Sequence, residues 1–508
     1  MQIKIKSCAN IGLNCEIVEV EAGIAPKVQF AFVIVGLPDA AIQEAKERVR
    51  FAIENSGFDF PRWKTAVNLA PADLKKEGSA YDLAIAICIL LKTNQLVCAQ
   101  TIIDESLFVG ELALGGELRA VNGILPITLF ARSAGIKNLF IPEANSAEAS
   151  LISGINIFPV KNLSQLQMHL SGTELIAPIT ATSEFLNPPE LDFDTDMAHI
   201  QGQENAKRAL EIAAAGGHNV LMSGPPGSGK TMLAKAMPTI MPKMTEAEIL
   251  EVTKIYSVAN LLTTEMPVIN RRPFRAPHHT SSGVALVGGG KIPKPGEISL
   301  AHRGLLFLDE FPEFPRTVIE NLRQPLEDGI ISISRAQGTL VFPAIFTLIA
   351  SQNPCPCGYF GDPEKNCTCS SVQILKYQKR ISGPILDRID LHVDVPRLAF
   401  EKLENGNANE TSAEIRKRVE SARTIQARRF AETKRTCNAE MTASELKNFC
   451  VLDNQSRELL KNAVNQLHLS ARSFHRILKL ARTIADLANV EQISLQHVAE
   501  ALQYRAKT

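Results

Sequence analysis

The stretch LMSGPPGSGKTMLAKAM, residues 221–237, constrains this chain more than any other. Its apolar lead-in, Asn219-Val220-Leu221-Met222, predicts a short buried strand. Gly224-Pro225-Pro226-Gly227-Ser228-Gly229 cannot continue that strand, and from Lys230 onward the spacing is helical. A strand, a glycine-rich loop and a helix with the spacing G-x-x-x-x-G-K-[ST] make a phosphate cradle. Glycines let backbone N–H groups turn inward around phosphate oxygens, and the helix N-terminus adds a favourable dipole. Lys230 is expected to reach the β- and γ-phosphates, and the Thr231 hydroxyl to hold Mg²⁺. A chance glycine-rich turn would lack the strand before it or the helix after it. The expected cofactors are therefore ATP and Mg²⁺, bound by residues 224–231.

A P-loop needs partners further along the chain. Leu305-Leu306-Phe307-Leu308-Asp309-Glu310 predicts an apolar strand ending in two carboxylates, about 80 residues after the loop. In a Walker B arrangement Asp309 supports Mg²⁺ coordination and Glu310 polarises the attacking water. A helix is expected over 317–327, and two alternating runs flank 335–338 as a β-hairpin with Arg335 at its tip. In a ring motor such a hairpin could project into the pore; an ordinary solvated hairpin with a basic tip is the plainer reading. A buried strand over 344–350 runs into Ser351-Gln352-Asn353, where AAA+ proteins place the polar residue called sensor 1, and Asn353 fits that position.

Cys355-Pro356-Cys357 and Cys367-Thr368-Cys369 follow at once, two C-x-C pairs separated by nine residues. Cys355, Cys357, Cys367 and Cys369 supply four soft donors, enough for a tetrahedral Zn²⁺, although the spacing departs from C-x-x-C and also suits reduced thiols. Arg388 is expected after a sharp Gly383-Pro384 turn, exposed enough to reach a neighbouring subunit's ATP. Its plainer alternative is a surface ion pair with Asp387 or Asp390. From residue 396 the chain reads as helical. The helix over 411–433 is strongly basic, its charges expected on a solvated face. Another helix begins at a Ser470 cap. In a helical lid over the ATP, Arg472 on its first turn is the candidate for sensor 2, with Arg476 one turn on as the alternative.

The interval 239–301 carries Arg271-Arg272-Pro273-Phe274-Arg275-Ala276-Pro277-His278-His279-Thr280 and VGGGKIPKPGEISLAHRG. Adjacent histidines with no nearby carboxylate make poor ligand geometry, so a structural or polar role is expected for His278 and His279. The glycines at 288–290, with Lys291 and Lys294, suit a mobile loop approaching a polyanion such as DNA.

Residues 1–170 predict an α/β domain. An alternating strand over 17–21 and an apolar, central one over 30–35 precede a helix capped by Asp39. Ile42, Ala45, Val49, Ala52 and Ile53 share its face, and Gly57 closes it. A strand over 65–69, an apolar helix over 83–91 and two strands around a turn over 108–118 follow. Then come Asn122-Gly123-Ile124, a further helix, and a strand ending near Pro142. Residues 171–195 read as a linker rich in Pro, Ser, Thr and acidic side chains. His199-Ile200-Gln201-Gly202-Gln203 and a helix over 204–215 lead to the P-loop strand, and 196–395 form the ATPase core with 396–508 as its helical lid.

The whole chain, 508 residues, allows about three domains by length. Lys+Arg and Asp+Glu are equal at 54 each, so any nucleic-acid contact must come from local basic elements. The start MQIKIKSCAN lacks a signal-peptide core, and the longest apolar run, 83–91, is too short to span a bilayer. Ten cysteines without an export signal suggest a reducing compartment. The expected location is the cytoplasm, with no membrane partner.

Four resemblances add to this reading. The run 108–145 resembles the proteolytic domain of Lon-type proteases, a ribosomal-S5-like fold. Lon's Ser nucleophile falls near Glu77-Gly78-Ser79-Ala80-Tyr81-Asp82, but its Lys base falls near Leu125, which cannot act as one. Ser79 is read as a solvated turn serine and the domain as non-proteolytic, used for substrate contact or assembly. The I-x-G-Q segment resembles the adenine-side entry of AAA+ ATPases. GPPGSGKT, LLFLDE, ASQNPCPCGYFGD, SGPILDRIDLHVDV and SARSFHRILKLARTIADL together resemble the magnesium-chelatase-like branch of AAA+ ATPases.

With the Lon-like domain in front, nearly the whole chain resembles the ComM/YifB family of bacterial competence proteins. The resemblance implies a homo-hexameric, ATP-driven DNA motor that promotes branch migration on single-stranded and branched DNA during natural transformation. It implies that residues 330–342 are a pre-sensor-1 hairpin and the interval before Leu305 a helix-2 insert, both facing the pore. A chelatase-type motor subunit acting on a protein partner shares the ATPase motifs and is the alternative. An ATP-dependent protease would need the missing dyad.

Overall fold

In the computed structural model the described residues are 3–181, 195–263, 265–290, 293–335, 338–362, 364–397, 409–433, 435–467 and 469–505. The chain forms two compact units, Met1–Pro189 with Glu246–Asn270, and Glu190–Thr245 with Arg271–Thr508.

Alternation of apolar and polar residues builds the first unit. Strands β1 (Lys4–Ile11), β2 (Asn14–Ala25), β3 (Phe32–Val35) and β4 (Lys64–Ala70) form a sheet in the order β1-β2-β4-β3. Val18 and Val20 of β2 point into the core, as their period predicts. β3 is apolar enough to suggest a central strand, yet it lies at the edge and Val35 is exposed. The helix Ala40–Asn55 follows it. Asp39 accepts a hydrogen bond from the Ile42 N–H at 2.9 Å, and Ile42, Ala45, Val49, Ala52 and Ile53 are all buried.

The helix Asp82–Lys92 is buried nearly all round and forms the centre of this core. Burial pushes the Asp82 carboxyl up to about 6, against the pull of Arg48, whose Nε donates to it at 2.8 Å. Strands β5 (Ser106–Phe108), β6 (Glu111–Leu112), β7 (Leu118–Arg119), β8 (Asn138–Pro142) and β9 (Asn156–Val160) complete the unit. β5, β8 and β9 are parallel, and β6 and β7 are the expected hairpin.

Ser79 departs from the solvated serine expected of it. It is half-buried, and its hydroxyl donates to the Glu111 carboxylate. Lys76 is a buried lysine whose ammonium donates to the Pro71 carbonyl, and Leu125 is buried in the helix Ile124–Ser133.

The helix Glu246–Ala259 follows the P-loop helix in sequence but folds into the first unit. Its apolar face (Ile249, Val252, Ile255, Tyr256) is buried, and it packs on Ile124–Ser133. The Ser257 hydroxyl donates to the buried Glu148, which also accepts from the Leu125 N–H at 2.7 Å.

The second unit is built on a parallel sheet. Its strands are β10 (Val220–Ser223), β11 (Phe274–Arg275), β14 (Leu305–Leu308), β17 (Thr347–Gln352) and β18 (Leu391–Asp394), in the order β11-β14-β17-β10-β18; β12 and β13 (Gly288–Gly289, Lys294–Pro295) and β15 and β16 (Ile330–Arg335, Gly338–Pro343) form separate two-stranded ribbons. Two-residue β11 is too short to show a period. Among the described residues 288–290 and 293–295, the stretch expected to be a mobile loop is paired, Gly289 opposite Lys294. The β15–β16 hairpin pairs Arg335 with Gly338; the Arg335 side chain and Lys291 lie outside the described residues.

Helices Ser412–Arg429, Asn454–Gln466, Ala471–Leu487 and Leu495–Gln503 make the C-terminal helical part. The basic helix is only partly solvated. Arg418 binds the buried Glu211 at 2.6 Å, and Arg429 binds the buried Asp486 at 2.6 Å. Among the described residues no helix is long and apolar enough to cross a membrane.

Candidate nucleotide site

β10 ends at Ser223 beside the end of β18, and the glycine-rich loop turns there. A Cβ on Gly224 would lie 2.0 Å from the Val395 carbonyl oxygen, so only glycine lets the loop leave the sheet so closely. Gly229, at φ +92°, precedes the helix Lys230–Ile240. The Lys230 ammonium lies inside the loop, donating to the carbonyls of Gly224 (2.7 Å) and Pro225 (2.8 Å). It is also 3.4 Å from Asn353 Oδ1. Burial lowers its pKa, with Asp309 opposing that shift.

Asp309 and Glu310 follow β14. Asp309 accepts from the Thr231 hydroxyl at 2.8 Å and from the Ser351 hydroxyl. The two groups expected to bracket Mg²⁺ are therefore adjacent before any ion is considered, and their hard oxygen donors suit that ion. Glu310 adopts a left-handed backbone (φ +52°), and its side chain is 54% exposed. Such a conformation is uncommon outside glycine and concentrates at functional sites. The backbone N–H of Glu310 is held by Asp309 Oδ1 at 3.0 Å and by Ser351 Oγ at 3.3 Å.

Three side chains not expected among the catalytic or phosphate-binding residues join this site. Gln203, from the I-x-G-Q segment, donates to the Ser228 carbonyl at 3.3 Å and the Pro396 carbonyl at 2.7 Å, bracing the loop from behind. Ser351 ties β17 to both acidic residues. His279, expected to have no carboxylate near it, has Nδ1 3.4 Å from the Glu310 carboxylate. Spacing could not reveal that contact, because it joins segments about 30 residues apart in sequence.

The arginines sit elsewhere. Arg388 follows the short helix Gly383–Leu386 and precedes β18, and its carbonyl accepts from Asn219 Nδ2 at 3.0 Å. Because β18 runs parallel to β10, Arg388 is at the strand-start end of the sheet and the P-loop at the strand-end side. The four residues of β18 separate them by roughly 13 Å. The Arg388 side chain is only 14% exposed, less than the exposed arginine expected, because it is paired with Glu327 rather than with Asp387 or Asp390.

Arg472 Nη2 binds the same Glu327 at 2.6 Å. Hydrogen bonds, first from Arg388, lower the Glu327 pKa. The first turn of Ala471–Leu487 therefore lies beside Arg388, and Arg472 is not placed over its own P-loop as a lid would place it. Arg476 is occupied by the Ile389 carbonyl at 3.1 Å and Asp390 at 3.5 Å, whereas Arg472 is 45% exposed.

Directly after Asn353 the four cysteines converge. Their sulfurs lie within 4.8 Å of one another and could hold a metal ion. Lys294 is exposed on β13.

Comparison with known proteins matches three segments to one family. Residues 196–403 match "Magnesium chelatase, subunit ChlI", residues 19–145 match "Subunit ChlI of Mg-chelatase", and residues 409–505 match "Magnesium chelatase, subunit ChlI C-terminal". The chain is 44% identical to Competence protein ComM of Haemophilus influenzae, over 99% of this chain and 97% of that protein. It is 41% identical to YifB of Escherichia coli, over 98% and 96% respectively. Magnesium-chelatase subunit ChlI of Olisthodiscus luteus is 26% identical over 33% of this chain and 52% of its own length.

Proposed function

The chain belongs to the ComM/YifB family of magnesium-chelatase-like AAA+ ATPases, and on that premise we propose that it is a ring-forming, ATP-driven DNA motor. The observation that carries the reading is the separation of the two half-sites. Lys230, Thr231, Asp309, Glu310 and Asn353 gather at one end of the core sheet, and Arg388 and Arg472 at the other. An arginine pair facing away from its own nucleotide is useful to a neighbour's. A closed ring, a homo-hexamer by family resemblance, repeats that contact at every interface.

Residues 224–229 cradle the phosphates, and Lys230 exchanges its loop carbonyls for β- and γ-phosphate oxygens. Bound Mg²⁺, held through Thr231 and Asp309, supplies charge neutralisation on the phosphates. Glu310 takes a proton from the attacking water, and Asn353 orients that water. Arg388 of one subunit, with Arg472 beside it, stabilises charge developing on the next subunit's nucleotide. Cys355, Cys357, Cys367 and Cys369 hold a structural Zn²⁺. Residues 1–170 are a non-proteolytic domain for substrate contact or assembly, 171–195 a linker, and 396–508 the helical part that carries Arg472.

The DNA half of the proposal is supported by the likeness to Competence protein ComM. Single-stranded and branched DNA are the partners, Arg335, Lys291 and Lys294 the contacts, and branch migration during natural transformation the process. The chelatase matches favour a second reading, a motor acting on a protein partner. ATP turnover with and without single-stranded and branched DNA, alongside Lys230→Ala, separates them. Stimulation by DNA that the variant loses supports the motor; turnover indifferent to every DNA form removes the DNA half and leaves the protein partner.

A further inference from the structure

Residues 353–358 form a short arch with both feet on the P-loop. At one foot Asn353 Oδ1 is 3.4 Å from Lys230 Nζ. At the other, Gly358 turns at φ +87°, and a Cβ there would lie 2.6 Å from Pro226 Cδ. Cys355 and Cys357 sit between the feet. Cys367 and Cys369 approach from the segment leading into the helix Ser371–Gln378.

Three of the sulfurs have the dimensions of one face of a thiolate tetrahedron, and Cys369 Sγ lies within 4.8 Å of each of them. Zinc–sulfur bonds of about 2.3 Å set sulfur–sulfur edges of roughly 3.8 Å. The observed separations are 3.4 Å for Cys355–Cys357, 3.7 Å for Cys355–Cys367 and 3.6 Å for Cys357–Cys367. Backbone N–H groups already point at the sulfurs, as they do around metal thiolates: Cys357 N–H to Cys369 Sγ at 3.4 Å, and Phe360 N–H to Cys355 Sγ at 3.3 Å. Cys355 is buried, and all four thiols are free of disulfides.

Resting on the reading of these cysteines as a zinc site, we infer that the ion is the keystone of the nucleotide pocket. It pins the 353–358 arch to the segment before Ser371–Gln378, holding Asn353 and the P-loop in register, so that zinc occupancy sets ATP affinity. Binding replaces thiol protons with metal–sulfur bonds, releases those protons to solvent and involves no oxidant. Without the ion, the arch depends on closing the loop from 357 to 367 by weak contacts alone, and loop-closure entropy opposes that order.

The test pairs metal content with the affinity of a fluorescent, slowly hydrolysed ATP analogue. Wild-type protein, the same protein stripped by a strong zinc chelator, the Cys367→Ser/Cys369→Ser double variant and Gly358→Ala are compared, with circular dichroism to check the fold. The expected result is one zinc per chain in wild type and in Gly358→Ala, and none in the stripped protein or the double variant. Analogue binding should be weaker on the order of tenfold or more in all three altered samples, because small misplacements of a phosphate site cost that much.

Wild type purified without zinc, and taking up none when Zn²⁺ is added, overturns the zinc reading and the keystone with it. Zinc-free protein with wild-type fold and wild-type affinity overturns the keystone and leaves the zinc site standing. Gly358→Ala with unchanged affinity overturns the Pro226 foot of the arch. Should the double variant fail to fold, the stripped protein and Gly358→Ala still decide the question.

Discussion

At the scale of single residues, the buried charges are where stability and binding are most exposed to change. Asp82 is buried and its main counter-charge is Arg48. Arg48→Ala would leave a carboxylate inside the core without that partner, and unfolding should become easier by about 3–5 kcal/mol. Thermal or denaturant melting checks this. Part of the loss should return at low pH, because the folded Asp82 pKa is raised to about 6. A raised folded pKa means that protonation favours the folded state, and the contribution fades as pH rises through that value.

Lys230 is the second case. Burial lowers its pKa, and phosphate oxygens would raise it again on binding. ATP affinity should be level while the lysine is charged, then fall as pH rises through the depressed pKa. Binding in that range should take up protons. Calorimetric titration in two buffers of different ionisation enthalpy measures both.

At the scale of elements, β10 and β18 meet so tightly at Gly224 that the loop's exit depends on a missing side chain. Gly224→Ala should part the two strand ends or tilt the loop, costing about 1–3 kcal/mol of stability as an overpacked core does. ATP binding should weaken in the same variant, read by nucleotide titration beside a melting curve. The order of these elements was legible in advance. The strand–loop–helix at 220–240, the apolar strand ending in Asp309-Glu310, the hairpin at 330–343 and the Ser470-capped helix all carry local periods or caps. The apolarity of β3 suggests a central strand, yet it lies at the edge, because apolarity reports burial somewhere along a strand without saying whether the strand is central or at an edge. β11 leaves no sequence signal, because two residues cannot show a period.

At the scale of the whole molecule, the proposed ring, with Lys230 and Arg388 at opposite ends of one sheet, predicts complementation. Lys230→Ala and Arg388→Ala should each abolish turnover alone, Arg388→Ala by about 10³-fold or more. Mixed before assembly, they should regain part of it, since an intact P-loop of one variant can meet the intact arginine of the other. No recovery in mixed assemblies would place Arg388 in its own subunit's site or outside the chemistry.

The assignment of Glu246–Asn270 to the first unit belongs to this scale as well. Sequence order puts the helix Glu246–Ala259 between P-loop and Walker B strand. Its packing on Ile124–Ser133 is decided by which apolar faces match across more than a hundred residues.

The chemistry of the nucleotide site was determined by the sequence alone, because a phosphate cradle needs particular residue types at fixed spacing within one strand–loop–helix. The same holds for the Asp39-capped helix and the pairing of cysteines along the chain, which depend on interactions a few residues long. That Arg388 and Arg472 share Glu327, what stands beside Glu310, and how the cysteine arch rests on Pro226 were decided only by the tertiary structure. Those contacts join segments tens to hundreds of residues apart. They arise from strand order and packing, and no local pattern encodes either.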